Sequence, residues 1–250
     1  MIPVIIPFFG SVDQLNKCKQ HLEAQTVGVE IFIRDNNKDN VYFTAAINEG
    51  FSKYLDCDCE YIIILNQDMY LEPNAVEEMI KFMQTRTECG IAMPLQLSSK
   101  IPNRVICAGC TQAFPTGMHI HGTLEEFTED KMIHWANGAC WIVRKQMIRQ
   151  IGLMDENFML IGSDSDYCFT ARSRGWQIWS IASARGVHEH GVTSNTNDPT
   201  IESIKLHDMY YFGMKWLNGD LYRDLADNGH KQTPQEIEKI MSVFKKAIPQ

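Results

Sequence analysis

The sequence predicts an α/β protein with one domain, whose mostly parallel central sheet is flanked by helices and followed by a helical C-terminal extension. Two observations carry that expectation. Short apolar runs alternate with amphipathic helical segments through the first hundred residues, and right-handed crossovers turn that order into a parallel sheet covered on both faces. The chain is also long enough, at 250 residues and 44% hydrophobic, to bury a core of its own.

Val4 to Pro7 reads as a short buried strand, and Leu15, Cys18, Lys19 and Leu22 recur at helical spacing between Asp13 and Gln25. "EIFIRDN" is the next strand. A helix from about Phe43 to Leu55 follows, with Ala46, Ile47, Gly50 and Phe51 on one face. "YIIILN" is the third strand, leading to a helix opened by Pro73 with Glu77 and Glu78 in its early turns. "GIAMP" is the fourth.

From Gln96 to Ile133 the pattern predicts strands and loops laid against the sheet edge. Beyond it, "HWANGACWIVRKQMIRQIG" gives a strand and a short helix, "DSDYCFTARSRGW" a helix starting after Gly162, and "QIWSIA" a strand. Two helices close the chain, the second with Thr233 and Glu236 at capping-box spacing.

Composition excludes several classes. A net charge of -8 and a pI near 5.5 lack the basic face that a nucleic-acid backbone requires. No apolar run reaches the roughly 18 residues of a membrane span, and "MIPVIIPFFG" has neither basic leader nor cleavage site. A cytoplasmic protein, soluble or peripheral at the membrane, is expected. The eight cysteines read as reduced thiols. Cys107 and Cys110 have metal-knuckle spacing, but no matching His or Cys couple follows in the sequence, so they read as small buried hydrophobes.

Ligands of such sheets sit beyond the carboxyl ends of the strands, where three polar endings converge: Pro7 to Gly10, Asp35 to Asn37, and Asn66 to Asp68. Asp68 is either a ligand for Mg²⁺ or Mn²⁺ or a turn cap. Asp164 and Asp166 begin a helix, where carboxylates are stabilised by the dipole and one could take a proton from a hydroxyl. His188 and His190 follow a strand in i, i+2 register, so at most one joins a given site.

In order and spacing, "IIPFFG", "FIRDNN", "AAINEGF" and "LNQD" followed by the Asn137 to Trp176 stretch, "VHEH" and "YYFGMKW" resemble the inverting family 2 glycosyltransferases of the GT-A fold, particularly rhamnosyltransferase-like members. The resemblance covers Ile2 to Trp216. It implies a GT-A (Rossmann-like) domain over residues 1–217, with 1–95 as nucleotide-binding half and 96–200 as acceptor and catalytic half, before an extension of 218–250. It implies a UDP- or dTDP-sugar donor, a glycan acceptor and a divalent cation, Mn²⁺ or Mg²⁺. Asp35 would accept from a uracil or thymine imide beside Pro7, Phe8 and Phe9, with Asn37, Asn66 and Gln67 in the donor nucleotide site. Asp68 and His188 would hold the metal, Asp164 would be the general base with Asp166 behind it, and Trp135, Asn137 and Gly138 would border the donor sugar and acceptor.

Three positions depart from the family pattern: Ser163 replaces a Glu before the base, Asn66 leaves the metal triplet one carboxylate, and Gly10 replaces an Asn. Two other readings stand beside the enzyme: a non-catalytic module of the same fold that binds a nucleotide sugar or glycan, and a sugar nucleotidyltransferase. The latter normally needs a Gly-rich basic phosphate loop that "IPFFGSVDQ" lacks.

Overall fold

The computed structural model describes residues 1–112, 117–189, 198–217 and 234–247. Its strands are β1 (Ile2–Phe8), β2 (Val29–Asp35), β3 (Tyr61–Leu65), β4 (Met69–Leu71), β5 (Cys89–Ser98), β6 (Arg104–Cys107), β7 (Cys110–Gln112), β8 (Gly117–His119), β9 (Gly122–Thr123), β10 (Lys131–Met132), β11 (Cys140–Arg144) and β12 (Gln177–His188). The helices are α1 (Val12–Glu23), α2 (Tyr42–Tyr54), α3 (Ala75–Thr85), α4 (Lys145–Ile151), α5 (Ser163–Ser173), α6 (Pro199–Trp216) and α7 (Pro234–Ala247).

The main sheet runs β10-β12-β5-β11-β3-β1-β2. Parallel pairing joins β3, β1 and β2, as strand-helix alternation predicts, and also β5 with β12. Between these blocks β11 runs antiparallel to both neighbours, which makes the sheet mixed. Side-chain alternation then divides the core. Ile5, Ile62, Ile64, Trp141 and Val143 face a layer that includes Ile47 and Phe51 of α2, Met147 of α4 and Phe169 of α5. Val4, Ile6, Ile63, Leu65 and Ile142 face Leu15, Cys18 and Leu22 of α1 and Val76, Met79 and Met83 of α3. Every residue of β3 is buried, the signature of a strand covered on both faces.

Local chemistry sets the helix ends. The Ser11 hydroxyl accepts from the Gln14 amide to cap α1. Pro73 lies before α3 rather than at its first position: its carbonyl accepts from the Thr26 amide, and Asn74 is the cap residue. The helix expected after Gly162 starts there, with Gly162 at a φ of 75°. Strand β4 was not expected, because three residues are too few to show a period. Thr233, the expected cap of α7, lies outside the described residues. Helix α7 packs on α6, where Met241 sits against Gly213.

Two family-like motifs meet inside the core. Asn48, from "AAINEGF" in α2, donates to the Met154 carbonyl and the Glu156 carboxylate and accepts from the Met154 amide, each at 2.9 Å. One buried amide thus ties α2 to the loop that leads into α5. Cys57 and Cys59, expected as thiols, are bonded to each other in the turn between α2 and β3, where their Cα atoms lie 5.6 Å apart. The other six cysteines are free and buried. Among the described residues no helix is long and apolar enough to cross a membrane.

Replacing Asn48 by Ala leaves the buried Met154 amide and carbonyl without partners, so stability should fall by about 1–3 kcal/mol. Urea unfolding should show a lower midpoint at unchanged slope; an unchanged midpoint would mean that the loop is held elsewhere.

Candidate active site

The carboxyl ends of β1 and β3, the start of β11 and the N-terminus of α5 enclose a cavity of about 790 Å³, lined among others by Pro7, Phe9, Asn66, Gln67, Asp68, Trp135, Asn137, Gly138, Asp164 and His188. Ten of the fourteen residues named in the sequence line it. Phe8, Asp35 and Asn37 do not, nor does Asp166, named beside Asp164 for the catalytic centre.

The floor is built by a strand pairing. Strand β4 runs antiparallel to β12 with Met69 opposite His188, and the Glu189 amide donates to the Asp68 carbonyl at 2.9 Å. This register brings the Asp68 carboxylate within 3.4 Å of His188 Nε2, with both residues buried. On its other side, His188 Nδ1 lies 3.0 Å from Gln96 Oε1. An amide oxygen can only accept, so the hydrogen of this bond sits on Nδ1, and Nε2 is the ring nitrogen that faces Asp68. Carboxylate oxygen and imidazole nitrogen are donors that Mn²⁺ accepts readily, and an outer hydrogen bond that fixes the tautomer is the usual support of a ligating histidine. The donor set therefore fits a divalent ion. His190, the alternative ligand, lies outside the described residues.

Gln67 has a different task. Its side-chain oxygen accepts from the Phe9 amide at 2.8 Å and its nitrogen donates to the Phe9 carbonyl at 2.6 Å. The pair of bonds clamps the end of β1 onto the end of β3 and holds Phe9 at the cavity, while Phe8 turns into the core. Asp35 ends β2 level with Phe8; it accepts from the Asn37 amide and side chain, and these bonds hold its carboxyl below the ordinary range. Asn37 Oδ1 in turn accepts from the Gly10 amide at 2.9 Å, with Gly10 at a φ of 84°. The turn after β1 is thus anchored from β2, without the Asn that Gly10 replaces.

Asp164 stands in the first turn of α5 at the cavity wall. Its carboxylate accepts from the amides of Gly138 (3.1 Å) and Ser165 (2.8 Å). Gly138 has no side chain to hold Asp164 away: a Cβ there would sit 3.2 Å from Phe43 and 3.4 Å from the Asp164 Cβ. Burial raises the Asp164 pKa, against the two amide bonds that lower it. Asp166 faces the opposite way. It is 2% exposed, lies 2.8 Å from Lys215 Nζ and accepts from the Trp216 indole at 2.7 Å, so it anchors α6.

Two residues that shape the site, Gln96 behind the cavity and Asp208 in its wall, were missed. Gln96 ends the apolar run of β5 as Asn66 ends that of β3, a signal that could have found it. Its amide nitrogen donates to Asn137 Oδ1 at 3.0 Å, which links the His188 side of the cavity to the β11 side. Asp208 of α6 is fully buried and accepts from the Met159, Leu160 and Ile161 amides, fixing the turn before Gly162. Nothing in local sequence marks a helical Asp for that task. The indole N–H of Trp135, at the cavity wall, is buried and has no partner among the described residues.

Among solved structures the chain is similar to that of GalNAc-T7 with UDP, GalNAc and Mn²⁺, at a TM-score of 0.56 and 11% identity. The match covers 97% of this chain and 48% of that one, so this chain spans about half the length of that protein and shares with it the GT-A-like fold. Curated protein sequences give no match. Residues 10–152, more than half of the chain, match the family described as Glycosyl transferase family 2. The chain belongs to glycosyl transferase family 2.

Proposed function

We propose that the protein is an inverting glycosyltransferase that moves a sugar, of rhamnosyl or other hexosyl type, from a UDP- or dTDP-sugar to a hydroxyl of a glycan acceptor. The observation that carries this reading is that Asp68, His188 and Asp164 line one cavity, whose volume lies within the usual range for sites of small ligands and cofactors. A second supports it: the Trp135 N–H, which has no partner among the described residues, is a donor suited to a sugar hydroxyl.

In this reading the base stacks against Pro7 and Phe9 with its imide N–H donated to Asp35, and Asn37 and Gln67 keep the two strand ends together. Asp68 and His188 would hold Mn²⁺ or Mg²⁺, which when bound would offset the negative charge that collects on the diphosphate as its bond to the sugar breaks. Asp164 takes the acceptor's proton as the hydroxyl oxygen bonds to the anomeric carbon, and the nucleoside diphosphate leaves from the opposite face. One displacement inverts that carbon. Asp166 works behind Asp164 by fixing α6.

Asp164→Asn should keep nucleotide-sugar binding and lower turnover at least about a hundredfold. Asp166→Asn should do the reverse, keeping most turnover while losing about 1.5–3 kcal/mol of stability with its charged partner Lys215; swapped outcomes would move the base to Asp166. Asp68→Ala should abolish the Mn²⁺-dependent part of UDP or dTDP affinity measured by calorimetry, and equal affinity in the variant would remove Asp68 from the metal site.

The pH profile offers a separate check. Transfer needs ionised Asp164, and burial raises its pKa, so the rate should climb with pH along a limb displaced above the ordinary carboxylate value of about 4. Its titratable neighbour Cys168 is a thiol whose pKa burial pushes up, so it stays uncharged across that limb. A limb at the ordinary carboxylate value would contradict the assignment.

A further inference from the structure

Cys107, Cys110 and His119 take no part in the reaction proposed above, yet the fold brings them together. The turn Cys107-Ala108-Gly109-Cys110 joins β6 to β7, with Gly109 at a φ of 103° that side chains rarely adopt. It sets the two sulfurs 3.9 Å apart, both residues fully buried. Strand β8 then returns antiparallel to β7 with His119 directly opposite Cys110, and such a cross-strand pair projects its side chains to the same face. Bonds from the Ala108 amide to the Ile120 carbonyl (2.7 Å) and from the Ile120 amide to the Gly109 carbonyl (2.9 Å) lock the arrangement. One donor atom from each of the three residues lies within 4.8 Å of the other two.

Two thiolates and an imidazole form a soft to borderline donor set, suited to zinc. Two sulfurs bound to a tetrahedral zinc at about 2.3 Å stand about 3.8 Å apart, close to the spacing already present. We propose that Cys107, Cys110 and His119 bind one Zn²⁺ ion, releasing two thiol protons and leaving the fourth tetrahedral position to water or a small ligand. The third ligand arrives through strand pairing rather than sequence spacing, and so the C-x-x-C looked partnerless in the sequence. The ion ties the β6–β7 turn to β8. His119 also packs edge-on to Trp135 with ring centres 6.4 Å apart and lies 3.4 Å from Asn137 Nδ2. Zinc would therefore stiffen the cavity wall that carries both residues. The inference is independent of the proposed glycosyl transfer.

Titration of the reduced, metal-free full chain with Co²⁺ tests it. One Co²⁺ per chain should produce thiolate-to-metal charge-transfer absorption and tetrahedral visible bands, and one equivalent of Zn²⁺ should displace it. Asp68→Ala should give the same spectrum. Cys107→Ser with Cys110→Ser should abolish it, and His119→Ala, a change outside the fully buried core, should weaken Co²⁺ binding at least about tenfold. Absence of a thiolate band in the wild-type chain overturns the proposal, and so does a band that survives in the double Cys variant. Formation of a Cys107–Cys110 disulfide as the only reaction of these thiols, with Co²⁺ unbound by the reduced chain, overturns it too.

Discussion

The short antiparallel pairing of β4 with β12 is the contact on which the site depends. Asp68 and His188 stand 120 positions apart in the sequence (188 − 68), and only the register that sets Met69 opposite His188 places the carboxylate beside the imidazole. Two groups of this kind are costly to bury unless each has a partner. Here Gln96 holds one face of the imidazole and Asp68 meets the other. Because Gln96 also donates to Asn137, the pair is connected to the β11 wall, where Gly138 in turn holds Asp164.

The remaining walls are fixed by amides and carboxylates that have no direct role in transfer in the proposed reaction. Gln67 closes β1 onto β3, Asn37 closes β2 onto the turn after β1, and Asn48 and Asp208 hold the loop that enters α5. Each satisfies backbone groups that would otherwise be buried or loosely solvated, so site geometry and fold stability share the same bonds. The division between Asp164 and Asp166 follows the same logic. Two residues apart at a helix start, one faces the cavity and the other is consumed by Lys215 and Trp216.

Much of this could be read from the chain because parallel-sheet architecture writes itself as apolar runs with polar endings. β1, β2, β3 and β5 were found that way, and the residues ending β1 and β3 reached the cavity. What could not be read depends on contacts between distant segments. The reversal of β11 leaves no local mark, since an apolar strand reads alike in either direction. Strand β4 is too short to show a period. Gln67 and Asp166 carried chemically suitable side chains, yet their hydrogen bonds, invisible in sequence, assign them to holding the structure. His119 was overlooked as a partner of Cys107 and Cys110 for the same reason.

The central claim is that Asp68 and His188 hold one divalent ion against the donor's diphosphate. Pulsed electron paramagnetic resonance of Mn²⁺ bound to the chain with UDP reports directly on the nuclei around the metal. The account predicts coupling to an imidazole nitrogen and to phosphorus in the same species, with the nitrogen signal lost in His188→Gln. Mn²⁺ coupled to phosphorus alone in the wild-type chain, or a nitrogen signal that persists in the variant, would contradict it.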